Sequence, residues 1–156
     1  MVIYEEKIPT YPVITLMVGM SCLVFALFII APFFGKLLVF TPIIRMIIAV
    51  VLLLDIIAFI SFTKLKIAVT EDTLQFGFGK FGKKFPITRI ISIEPSKYSF
   101  TNYYGYGVRM GLDNSIGYAP RGGAGVLVKI KDDKRPYFVS TANPEKLISA
   151  IKQRMR

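Results

Sequence analysis

The chain has no histidine and one cysteine, and charged residues are sparse over its first 62 positions. Without histidine the commonest general base is missing. The lone thiol, Cys22, lies within an apolar run, so nucleophile–base pairs of the usual kinds are not expected. A single cysteine cannot close an intrachain disulfide, so nothing here signals an oxidising compartment. Glu71-Asp72 and Asp132-Asp133 read as turn acids rather than metal ligands. Gly105, Gly107 and Gly111 follow G-x-G-x-x-x-G with no βαβ unit around them, and Gly122 to Gly125 lack the Lys-Ser/Thr of a phosphate loop. These readings leave no expected catalytic, metal or cofactor site, and the chain is read as not an enzyme.

What is present is apolar length. The 28 residues from Ile8 to Gly35 contain no charged side chain, and Ile43 to Phe62 is interrupted only by Arg45 and Asp55. A helix of ~20 apolar residues spans the hydrocarbon of a bilayer. The expectation is an N-terminal tail and a two-helix transmembrane hairpin over residues 1–62, with spans at about 12–33 and 42–62. Pro12 and Pro42 open the helices, Thr41 caps the second, and Phe34-Gly35-Lys36 forms the turn. A cleavable signal peptide is not expected, because Glu5 and Glu6 lie in the opening residues and no small-residue cleavage pattern precedes Gly35.

Charge is concentrated in the remainder. Of 20 lysines and arginines only Lys7, Lys36 and Arg45 precede Thr63, and of 10 acids only Glu5, Glu6 and Asp55, so residues 63–156 carry the full +10. Beside a membrane, this excess favours the cytoplasmic side and anionic lipid headgroups. No nucleic-acid recognition motif accompanies it. The expected location is the plasma membrane, multi-pass, with both termini cytoplasmic.

From Lys64 the apolar period becomes two, with Leu65, Ile67 and Val69 on one face. Further strands are expected at 74–78, 83–87, 90–94, 108–111, 115–118, 125–131 and 135–140. A helix opened by Asn143-Pro144-Glu145 then presents Leu147, Ile148 and Ile151. About seven antiparallel strands closed by a C-terminal helix outline a pleckstrin-homology (PH) barrel, an α+β fold behind the hairpin. The block Gly105-Tyr106-Gly107-Val108-Arg109-Met110-Gly111, then Gly117-Tyr118, Gly122-Gly123 and the strand from Gly125, with Asn143-Pro144-Glu145 opening the last helix, resembles the small prokaryotic membrane proteins with a bacterial PH-like domain. The resemblance implies a PH-like cytoplasmic domain at 63–156 and a membrane-bound, non-catalytic protein. Asp132-Asp133 departs from it, standing where a glycine is usual.

Two aromatic and basic segments are the candidate sites. Lys80, Lys83 and Lys84, among Phe76, Phe78, Phe81 and Phe85, are the lipid-headgroup candidates. Tyr98, Phe100, Tyr103, Tyr104 and Tyr106, with Arg109 and Arg121, are the candidates for docking on a membrane-protein partner or a second copy. Both patterns also fit a small core. The acidic Glu71-Asp72 turn disfavours a stereospecific phosphoinositide site. Within the apolar runs, Arg45 can snorkel to headgroups. Asp55 fits three roles: a bond to Ser21 beside the small residues Gly19, Cys22 and Ala26, a contact with another subunit, or an ion relay.

Overall fold

The computed structural model describes residues 2–30 and 42–155. The expected turn at 34–36, the Thr41 cap and the side chain of Arg45 lie outside the described residues. The chain forms two compact units. One comprises residues 1–10 and 62–156; the other comprises residues 11–61.

The first unit contains nine strands: β1 (Val2–Pro9), β2 (Lys64–Thr70), β3 (Thr73–Phe78), β4 (Phe81–Pro86), β5 (Ile90–Lys97), β6 (Gly107–Met110), β7 (Ile116–Ala119), β8 (Ala124–Ile130) and β9 (Tyr137–Ser140). They make two sheets, β1-β2-β3-β4 (sheet A) and β5-β8-β9-β7-β6 (sheet B). This corrects the expectation of a closed PH barrel, since neither sheet closes. The reason lies in pairing. Sheet A is a run of neighbouring antiparallel strands, but β5 turns away through a 3-10 turn at Ile87–Arg89 and pairs with β8. β9 then inserts between β8 and β7, antiparallel to the first and parallel to the second. A parallel pair joined through β8 has no signature in alternation alone.

The core lies between the sheets. Ile8, Leu65, Ile67, Val69, Leu74, Phe76 and Phe78 come from sheet A, and Tyr118, Val126, Val128, Ile130, Tyr137 and Val139 from sheet B. Helix α4 (Pro144–Lys152) adds Leu147 and Ile151, with Pro144 in its first turn as expected. Phe76 meets the edge of Tyr118 at 5.0 Å, interplanar 76°. The phenylalanine stretch is therefore largely core; Phe81 is the exposed exception, stacked on Phe62 at 5.5 Å.

The N-terminal tail is a strand of this unit. β1 pairs with β2 from Tyr4↔Val69 to Pro9↔Lys64. Tyr4, Glu6 and Ile8 share the core face. Glu6 there accepts bonds from the Tyr4 hydroxyl at 2.6 Å, Thr141 Oγ1 at 2.5 Å and the Ala142 amide at 2.8 Å. An acid in an inward position hides the period-two pattern, which is why the tail did not read as a strand.

The second unit holds α1 (Pro12–Ile30) and α2 (Pro42–Phe62), whose last residue already belongs to the first unit. Among the described residues one helix, α2, is long and apolar enough to cross a membrane; the apolar stretch of α1, Leu16–Phe28, is shorter. This corrects the expectation of two spanning helices. The helix starts at Pro12 as expected, and the charge-free residues before it, Ile8 and Pro9, close β1.

Candidate docking surface

Sheet B is covered on its outer face by the tyrosine segment. β5 continues through Pro95 to Lys97, beyond its expected end, because it is an edge strand and an edge tolerates the missing amide donor. A four-residue helix, α3 (Phe100–Tyr103), follows and ends in Tyr104, whose φ of 50° is left-handed. Tyr98 and Tyr103 stack at 5.4 Å, and both rings lie against Phe138 at 5.9 and 5.8 Å. Tyr103 sits directly on the sheet at Gly117, where a Cβ would come within 2.8 Å of its ring. The Tyr98 hydroxyl donates to the Gly105 carbonyl.

A polar chain fixes this cover. Ser115 Oγ donates to Asp113 Oδ1 at 2.6 Å, so the Tyr103 hydroxyl, 2.6 Å from Ser115 Oγ, is the donor in that pair. Burial raises the Tyr103 phenol above its ordinary value. Burial also acts to raise Asp113, but hydrogen bonds from Ser115 and Asn102 outweigh it and lower the carboxyl.

The docking candidates divide accordingly. Tyr103 is buried and Tyr98 half-buried; both act as core. Phe100 and Tyr104 stand out from this base, 55% and 66% exposed. Tyr106 is half-buried and stacks on Tyr98 at 5.3 Å. Arg109 is exposed, its Nε donating to the Tyr106 carbonyl at 3.2 Å. Arg121 is half-buried between β7 and β8. Met110 and Leu112 are also exposed, 62% and 75%, along and just past the edge strand β6, but Met110 pairs with Ile116 and so lies on the face of sheet B opposite the tyrosine cover.

The lipid candidates are not brought into one patch. Lys80 is exposed in the β3–β4 turn. Lys83 pairs with Phe76 on the core side of β4, and Lys84 pairs with Gln75 on the outer side. Lys83 lies near Asp133, whose carboxyl is lowered first by the Tyr137 hydroxyl at 2.6 Å and further by Lys83 and Arg135.

In the helical unit, Asp55 Oδ2 lies 2.5 Å from Ser21 Oγ and 3.5 Å from Cys22 Sγ. Gly19 faces the Phe59 ring. An open apolar groove lined by Pro12, Leu16, Gly19, Met20, Leu23 and Phe59 runs beside that contact.

Comparison with known proteins finds no match: no family model, no curated protein and no solved structure.

Proposed function

We propose that this is a non-catalytic, membrane-anchored accessory subunit that docks on another membrane protein. The observation that carries the reading is the exposed pair Phe100 and Tyr104 beside Arg109, on the segment whose Tyr98 and Tyr103 form a packed base. Rigid aromatic anchors with an adjacent arginine are the composition of interface centres. Anchoring is assigned to α2. The groove beside Gly19 offers a partner helix a close approach.

The finer location is the plasma membrane with both chain ends cytoplasmic. The Thr10 amide donates to the Thr63 carbonyl at 3.0 Å and Thr10 Oγ1 to the Phe62 carbonyl at 2.5 Å. Residues 10 and 63 are thus held side by side, so the chain on either side of the helical unit returns to one place in the β unit. The basic excess after residue 63 favours the cytoplasm for the side shared by both ends. A reporter fused after Arg156 should be active as a cytoplasmic fusion; external activity would reverse the orientation.

The docking test is stoichiometric co-purification of the full chain in mild detergent, comparing wild type with Phe100→Ala/Tyr104→Ala. The variant is expected to fold, because both side chains are exposed, and to lose the partner. Undiminished partner recovery from the double variant would remove this surface from the interface.

A further inference from the structure

We infer that the outer face of sheet A binds the headgroups of anionic phospholipids. This rests on the membrane anchoring of α2 and concerns a face that the docking surface does not use. Helix α2 ends at Phe62, and Lys64 and Lys66 follow in β2. At ~3.3 Å per strand residue their Cα atoms lie within about 7 and 13 Å of the helix end along the chain. Period two puts both on the exposed face, opposite the buried Leu65 and Ile67. The β1 register then adds Lys7 directly beside Lys66. Three lysines distant in sequence or separated by core residues thus meet on one face.

The row through Lys7 and Lys66 continues as Gly77 and Gly82, paired across β3 and β4. Neither glycine adds a side chain to the row; Gly82 is exposed and Gly77 is buried beside Lys66. A Cβ on Gly77 would fall 2.1 Å from the Gly82 Cα, so Gly77 stays bare by necessity. One acid lies among these lysines: Glu5, 3.2 Å from Lys7 and 3.3 Å from Lys66. Positive charge therefore remains in excess.

Covalent distance selects lipid over a soluble acidic partner. A headgroup layer around α2 is within reach of Lys64 whatever the orientation of the β unit, and attraction acts over the ~8–10 Å screening length at physiological salt. Each lysine in such a layer strengthens association on the order of fivefold. The lysines act as summed charge, so total lipid charge rather than headgroup identity should govern binding.

The test uses the full chain in nanodiscs of phosphatidylcholine alone or of a mixture rich in phosphatidylglycerol. Amine acylation is read lysine by lysine by mass spectrometry. Lys7, Lys64 and Lys66 should label several-fold more slowly in the anionic discs, and high salt should abolish the difference. Lys83, on the core side of β4, and Lys129, on the outer side of sheet B, should label equally in both. Equal labelling of Lys7, Lys64 and Lys66 in the two lipids would overturn the inference, as would protection of the same size in detergent, which would mean protein covers the face. A chain that fails to enter discs at all would instead overturn the membrane anchoring beneath it.

Discussion

The two sheets share one core but treat their outer faces oppositely. Sheet B is roofed by Tyr98 and Tyr103 over Phe138 and Leu127, so it has apolar packing on both sides. Sheet A leaves Lys7, Lys64, Lys66 and Lys84 in solvent, with glycines between them. The segment richest in aromatic residues, which looked most like a recognition loop, is half structural. The face with no aromatic side chain is the one with free charge. Composition along the chain reports what a segment contains, and register decides which part of it is left for binding.

The sharpest break in this comparison is to unroof sheet B. Tyr103→Ala removes a buried aromatic ring and leaves Ser115 without its phenol donor, at a cost of ~3–5 kcal/mol. Thermal melting of the full chain in detergent should fall steeply, and the Phe100/Tyr104 surface should lose its partner with it. A melting point near wild type would show that the tyrosine cover is not part of the core.

On sheet A the corresponding intrusion is Gly77→Ala. The new methyl meets the backbone of Gly82 and the Phe81 carbonyl rather than a movable side chain, so β3 and β4 must separate. Overpacking of this kind costs ~1–3 kcal/mol. An unchanged melt would mean that this pair of strands can part without penalty, and a bare Gly77 would then have no structural cause.

A smaller effect separates the hydroxyl of Tyr103 from its ring. Tyr103→Phe keeps the packing and loses one hydrogen bond, about 1 kcal/mol at neutral pH. Burial raises the folded-state phenol above its ordinary 10.0. Its contribution is therefore present below pH 10 and lost as pH rises through the folded value. Tyr98, Tyr118 and Tyr137 shift in the same direction, and Tyr4 is pushed up to about 12 by burial first and then by its bond to Glu6. The Phe variant should lose only part of the alkaline decline seen by circular dichroism. An identical alkaline limb would mean that Tyr103 ionises as freely folded as unfolded.

Much of the strand content was legible because Leu65-Lys66-Ile67 alternates cleanly and Val126 to Ile130 is a short β-branched, apolar run. Ser21 was legible as a neighbour of Asp55 from depth along two apolar runs. Three things were not legible, each for a physical reason. β1 was concealed because an inward position holds Glu6, satisfied by donors more than 130 residues away. The open sheets were missed because the place of β9 between β8 and β7 is a long-range choice with no local signature. The charged face was missed because Lys80, Lys83 and Lys84 are near in sequence but divided by alternation, whereas Lys7 and Lys66 become neighbours only through register.

The mildest change tests the bare face itself. Glu5 is exposed, and its carboxyl is held below the ordinary 4.5 by hydrogen bonds from Lys7 first and Lys66 second, with their charges adding to the effect. A lowered folded value means that its small contribution is present above pH 4.5 and fades as pH falls through the folded value. Salt screens such a pair, and both lysines remain solvated without it, so Glu5→Gln should leave the melting point unchanged within error. Its effect should fall on lipid. Removing the acid that pairs with Lys7 and Lys66 raises the local charge by one, so protection of both lysines in anionic discs should deepen while that of Lys83 and Lys129 stays the same. Weaker protection in the Glu5→Gln chain would mean that the carboxylate's role is to hold Lys7 and Lys66 in a set geometry, and the face would then act by shape rather than by summed charge.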